Sequence, residues 1–100
     1  MRLVFSKPAV DDLREIDHWI AHDNPSRAVT FVQELRQTCR DLLAFPKAYP
    51  IDPRYLPIQI HRRAYGRYII FYRIRQDRLT IVGIVHSARD IGATLEPRLR

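Results

Sequence analysis

Apolar residues recur at helical spacing in the first part of the chain, after a short run at residues 2–6 that alternates like a strand. Four of them follow one another at intervals of four, three and four: Ala9, Leu13, Ile16 and Ile20. This spacing places them on one helical face, because a helix completes a turn in about 3.6 residues. The pattern predicts a helix over about residues 8–21, with Ser6 as its N-cap and Trp19 at the edge of the apolar face.

A second helical pattern begins at Asp23-Asn24-Pro25. Asp or Asn can cap the new helix, and Pro suits its first position because no N–H is needed there. Spacings of four and three return at Ala28, Val32, Leu35, Cys39 and Leu42. We predict a helix over about residues 25–45, which forms a hairpin with the first helix.

The last part of the chain has the pattern of strands. Prolines first mark a loop at positions 46, 50, 53 and 57. Three β-rich runs follow at residues 58–64, 68–75 and 79–87, and short turns between them predict an antiparallel meander. Residues 91–99 suggest only a short, weak helix. The last two runs are apolar on both faces, which requires a covering layer that the pattern does not identify.

The order of elements, β-α-α-β-β-β, indicates the fold class. We predict an α+β fold in which an antiparallel sheet packs on an N-terminal helical hairpin. The length of 100 residues fits a single domain over residues 1–100.

Charge is distributed unevenly between the two halves of the chain. Residues 1–53 carry seven basic and eight acidic residues, whereas residues 54–100 carry ten arginines and three acids. Arginine pairs with phosphate or carboxylate through two parallel hydrogen bonds. The basic half therefore suits either a nucleic acid or an acidic protein segment, and the alternative is a solvated basic face without a dedicated partner.

Cysteine usage and hydropathy indicate the compartment. Cys39 is the only cysteine, so it cannot form an internal disulfide, and it fits a small buried side chain in a reducing environment. No stretch approaches the roughly 20 apolar residues that span a bilayer. We expect a cytoplasmic protein without membrane contact.

Basic residues of the strand region form the candidate partner-binding set: Arg62, Arg63, Arg67, Arg73, Arg75, His86 and Arg89. RNA cleavage through the 2′-hydroxyl needs a base, a proton donor and cations around the phosphate. A nuclease would draw these from Arg62, Arg73, His86 and Arg89. Their convergence depends on strand register, and the alternative is an arginine-rich sheet edge that satisfies acids such as Asp52.

Other chemistry has little support in the sequence. His18 and His22 have metal-ligand spacing on a helix, but no further ligand accompanies them, and we read them as a solvated polar face. No glycine-rich phosphate loop is present. We expect no metal and no cofactor, and we expect His61 to be exposed among its arginine neighbours.

Several segments, taken in order, resemble toxins of the RelE/ParE superfamily from type II toxin–antitoxin systems. They are residues 9–16, Trp19-Ile20-Ala21, Asp23-Asn24-Pro25, Phe45-Pro46, the run from Tyr68 to Arg73, and the run from Ile84 to Asp90. The resemblance covers roughly residues 2–91. It implies a toxin encoded beside an antitoxin, which wraps it with an extended, partly helical segment in a hetero-oligomer.

The resemblance also separates two mechanisms. RelE-like members cut messenger RNA on the ribosome, and they usually place an Arg after the Tyr that heads the penultimate strand. Here Ile69 follows Tyr68, and residues 94–97 lack the aromatic residue that ends those nucleases. The ending His86-x-x-Arg89-Asp90 is similar to the ParE-like branch. The resemblance therefore implies a non-enzymatic inhibitor of DNA gyrase, and the alternative is a ribosome-dependent endoribonuclease.

Overall fold

Both long helices begin where the sequence caps them in the computed structural model, which describes residues 1–100. Helix α1 (Lys7–Ala21) starts with the Ala9 N–H donating to Ser6 Oγ at 3.2 Å. Helix α2 (Pro25–Asp41) starts with Asn24 accepting from the Arg27 N–H at 3.0 Å. The two predicted starts are confirmed. Helix α2 ends before residue 45 because the next three residues bond to carbonyls three positions back.

Four strands form one sheet in the order β1-β4-β3-β2. Their bounds are β1 Arg2–Phe5, β2 His61–Tyr65, β3 Tyr68–Arg75 and β4 Arg78–His86. The last three strands are the predicted antiparallel meander. Strand β1, however, runs parallel to β4, because the hairpin, the loop and two strands of the meander bring the chain back in its starting direction. The sheet is mixed rather than wholly antiparallel.

The sheet separates two apolar cores. The inner core lies between the helices and one sheet face: Ala9, Leu13, Ile16, Phe31, Leu35, Cys39, Leu42, Ile70, Tyr72, Leu79, Ile81 and Ile84. The outer core lies on the opposite face: Tyr55, Ile60, Ile69, Phe71, Val82, Val85 and Leu95. Helix α3 (Ile91–Leu95), the 3-10 turn Glu96–Leu99 and the loop around Tyr55 therefore form the layer that the sequence pattern did not identify. None of the helices combines the length and the apolar character of a bilayer-spanning segment.

Strand register determines which side chains face each layer. On β3, Tyr72 belongs to the inner core and Phe71 to the outer core. Side chains alternate along a strand, so even-numbered residues of β3 face the helices and odd-numbered residues face away from them. Directly opposite residues share a face, which places Arg62 with Phe71 on the outer face.

His61 is buried, so the prediction that it is exposed was wrong. It lies opposite Tyr72 and therefore faces the helices. Its ring stacks on Tyr72 with centroids 4.9 Å apart, and its Nδ1 lies 2.8 Å from the Tyr49 carbonyl oxygen. Cross-strand pairing, rather than the polarity of its sequence neighbours, sets its exposure.

Candidate functional site

A cleft of about 450 Å³ opens between α1 and the end of β4. Its lining mixes apolar, aromatic and charged side chains: Asp12, Glu15, Ile16, Trp19, Tyr68, Ile84, His86 and Arg89. We call it the α1–β4 cleft. This mixture is typical of ligand- and partner-binding sites, where apolar contact provides affinity and a few polar groups fix orientation.

The floor of the α1–β4 cleft is aromatic. Tyr68 and His86 are directly opposite each other on β3 and β4, and their rings meet edge to face with centroids 5.1 Å apart. The Nδ1 of His86 accepts a hydrogen bond from the Ala88 N–H at 3.0 Å, which leaves Nε2 to carry the proton of the neutral ring. Burial raises the pKa of Tyr68, although the charge of Arg89 opposes that shift. Tyr68 is therefore neutral at physiological pH and offers a hydroxyl to a partner.

The rim of the cleft is open to solvent. Trp19, the only tryptophan of the chain, is 76% exposed. Arg89 Nη1 lies 3.9 Å from Glu15 Oε2, and both side chains are mostly exposed, so this ion pair is weak. An exposed indole beside a loosely held arginine is a combination enriched where proteins bind partners.

A buried ion pair occupies the β4 edge beside the cleft. Asp12 accepts the Ile84 N–H at 2.9 Å, and the Arg98 guanidinium binds both of its carboxylate oxygens at 2.7 and 3.0 Å. Arg98 also donates to the Val82 carbonyl at 3.2 Å. Strand β1 ends at Phe5, so these two side chains satisfy the part of β4 that β1 does not reach. The pair joins α1, β4 and the C-terminal turn.

Beyond this pair the edge of β4 remains open. The Ile84 N–H points to Asp12, whereas the Ser87 N–H bonds to the Arg67 carbonyl across the meander. Backbone groups alternate in direction along an antiparallel pair, so the Ile84 carbonyl and the His86 N–H also point away from β3 and into the cleft. An acceptor and a donor two residues apart match the hydrogen bonds of an added strand.

The structure divides the sequence-predicted residues between the two faces of the sheet. His86 and Arg89 lie together in the α1–β4 cleft. Register places Arg62, Arg73 and Arg75 on the opposite face. The four residues of the nuclease hypothesis therefore do not meet at one site, because the sheet separates two of them from the other two.

The three candidates on β2 and in the turn after it differ in their contacts: Arg62 and Arg63 are engaged, and Arg67 is free. Arg62 Nη1 lies 3.4 Å from a carboxylate oxygen of the buried Asp52, which is the kind of contact that the sheet-edge alternative describes. The guanidinium of Arg63 lies 4.9 Å from the ring centroid of Tyr49. Arg67 is exposed in the turn between β2 and β3 and has no side-chain partner.

Sequence reasoning missed the contributions of Asp12, Trp19, Tyr68 and Arg98 to this region. A signal did exist, because Asp12 lies between Ala9 and Leu13 on the apolar stripe and therefore had to find a buried partner. Nothing in the sequence identified that partner as Arg98.

Comparison with known proteins agrees with the fold and the predicted family. A family model described as the ParE toxin of type II toxin–antitoxin system, parDE, matches residues 3–91. A solved structure of the chromosomal ParDE TA system from P. aeruginosa is similar with a TM-score of 0.71 and 20% identity, over 86% of this chain and 95% of that one. No curated protein matches the sequence. The family match covers most of the chain, and the chain therefore belongs to the ParE toxin family of type II toxin–antitoxin systems.

Proposed function

We propose that this chain is a toxin that inhibits DNA gyrase and that a cognate antitoxin neutralises it. The family match supports the toxin role. One observation favours gyrase over messenger RNA as the target: the residues that a nuclease would need lie on opposite faces of the sheet. Because the sheet lies between Arg73 and His86, these two residues cannot act on one phosphate as cation and acid or base.

The α1–β4 cleft is the surface that we assign to the antitoxin. An extended antitoxin segment fits it as an added strand, bonded to the Ile84 carbonyl and the His86 N–H, with an apolar side chain against Trp19. An acidic residue on that segment would pair with Arg89 in place of the weak Glu15 contact. This combination predicts nanomolar or tighter binding, on the order of −12 kcal/mol.

The first test is a titration of purified toxin into a gyrase supercoiling reaction. We expect loss of supercoiling together with trapped linear DNA, and recovery when the toxin is first mixed with its antitoxin. Unaffected gyrase would overturn the proposal. Messenger RNA cleavage in a translating extract, lost in His86→Ala, would instead establish the nuclease alternative.

The antitoxin surface has its own test, with a matched control in the same chain. Trp19 and Phe45 are equally exposed aromatic residues, at 76% and 75%, but only Trp19 lines the cleft. We expect Trp19→Ala to weaken antitoxin binding at least about tenfold, as truncation of a tryptophan that becomes buried on binding does. Phe45→Ala should change it less than about twofold. Equal effects in isothermal titration would show that the antitoxin binds elsewhere.

A further inference from the structure

A second charged surface lies on the face of the sheet opposite the α1–β4 cleft. Arg2 on β1 is directly opposite Arg78 on β4, and Arg78 is directly opposite Arg75 on β3. Arg73 precedes Arg75 by two residues and shares its face. We call these four residues, Arg2, Arg73, Arg75 and Arg78, the arginine row. The proposed function makes no use of it.

The arginine row lacks compensating charge. None of its four side chains forms an ion pair or a side-chain hydrogen bond, in contrast to Arg62 and Arg98, which bind buried carboxylates. The nearest acid along the chain, Asp77 in the β3–β4 turn, is paired with the N-terminal amine at 3.3 Å. Asp77 is therefore already engaged and does not offset the charge of the row.

Four uncompensated arginines close together do not stabilise the folded protein. Like charges at directly opposite positions of neighbouring strands are destabilising, and this surface contains two such pairs in succession. Three of the four side chains are exposed and Arg73 is half-buried, so they have no packing role that requires the charge. A bound polyanion would remove the repulsion that the free protein carries.

The side chains in and around the arginine row indicate which kind of partner it binds. Only Val4 and Thr80 lie among the arginines on this face, so the surface lacks the apolar centre on which protein interfaces depend. Phosphates need only charge and hydrogen-bond donors, which guanidinium groups supply. Neighbouring strands are about 4.8 Å apart and Arg73 is about 7 Å from Arg75 along β3, spacings that suit a line of closely spaced phosphates.

We propose that the arginine row binds the phosphate backbone of duplex DNA without sequence preference. The choice of duplex DNA over RNA rests on the proposed function, since gyrase acts on duplex DNA. Because the row and the α1–β4 cleft are on opposite faces, the toxin retains this DNA contact while an antitoxin occupies the cleft.

Fluorescence anisotropy with a labelled DNA duplex and no gyrase tests this inference separately from gyrase inhibition. We expect a dissociation constant on the order of 1–100 µM, and binding should weaken as salt is added. A plot of the logarithm of the binding constant against the logarithm of the salt concentration should have a slope of about −3.6, as expected for four phosphate contacts. In the double variant Arg75→Gln with Arg78→Gln, the slope should become shallower, at about −1.8. The affinity for DNA should decrease at least about tenfold. The melting temperature of this variant should equal or exceed that of the wild type, because two opposed charges are gone.

The control removes the same charge elsewhere. Arg14→Gln with Arg40→Gln changes two exposed arginines of the helices, and we expect less than a twofold effect on DNA binding. An equal loss in both variants would overturn the proposal in favour of a general effect of net charge. It would also be overturned by tighter binding of single-stranded RNA, or by a row variant that binds DNA normally but loses affinity for the antitoxin.

Discussion

Asp52 is a buried acid that arginines from two segments keep charged. Its side chain is only 1% exposed, yet it accepts hydrogen bonds from Arg54 in the adjoining turn and from Arg62 on β2. The hydrogen bonds from Arg54 hold the pKa of Asp52 below its ordinary value and outweigh the opposing effect of burial. This cluster fastens the proline-rich loop to the outer edge of the sheet.

The lowered pKa of Asp52 makes stability depend on acidity. The unfolded chain protonates this carboxyl near pH 3.9, whereas the folded protein does so only at lower pH. The stabilisation is therefore present above about pH 4 and is lost as the pH falls through that value toward the folded pKa. We expect Asp52→Asn to lower the free energy of unfolding by about 2 kcal/mol at pH 7 and to flatten its decline in acid.

Urea unfolding between pH 7 and pH 2.5 measures this effect. Asp17→Asn, an exposed acid of α1 without an ion pair, serves as the control and should match the wild type. The free energy of unfolding is then plotted against pH for each protein. If the plot for Asp52→Asn ran parallel to that of the wild type down to pH 3, the ion cluster would have no role in acid stability.

Among the elements, α1, β4 and the C-terminal turn depend on one another through the Asp12–Arg98 pair. Gly83 belongs to this contact, because a Cβ atom there would lie 3.0 Å from Arg98 Nη1 and 3.1 Å from Leu95 Cδ1. Both neighbours are fixed, one by its ion pair and the other by complete burial. A larger residue here would push both neighbours away by a few tenths of an ångström, so glycine fits this close approach without displacing them.

Removing one partner of this pair should cost far more than removing both. Asp12→Ala leaves the Arg98 guanidinium and the Ile84 N–H without their acceptor in a largely buried place. We expect a loss of about 3–5 kcal/mol in the free energy of unfolding. Asp12→Ala combined with Arg98→Met should recover most of it, because no unpaired charge remains. Chemical denaturation of the three proteins measures this coupling, and additive losses would refute it.

Local signals allowed the elements to be predicted, whereas contacts distant in sequence escaped prediction. The caps at Ser6 and Asn24 and the helical spacing that follows them depend only on neighbouring residues. The parallel pairing of β1, the covering role of α3 and the Asp12–Arg98 pair join residues from opposite ends of the chain. Within the candidate site, His86 and Arg89 were identified by type and by family resemblance. Only strand register separates them from Arg62 and Arg73.

For the molecule as a whole, Cys39 reports on the integrity of the inner core. It is fully buried, as the sequence predicted, and burial raises its pKa to about 12. At pH 8 only about one folded molecule in 10,000 carries the reactive thiolate, and even that thiolate is inaccessible to a reagent. We expect labelling by a thiol reagent to occur through global unfolding, with a free energy equal to that from urea. Markedly faster labelling would mean that α2 opens locally from the sheet.

The pairing of β1 with β4 also determines when the fold can be completed during synthesis of the chain. Arg2 and Arg78 are neighbours in the sheet although both long helices and most of the meander lie between them in the chain. On the ribosome, at roughly 5–20 residues per second, α1 emerges several seconds before β4 exists to cover its apolar face. The α1–β4 cleft therefore forms only after His86 has been translated. The surface that we assign to the antitoxin is thus among the last parts of the fold to be completed, and a nascent chain that lacks β4 does not yet present it.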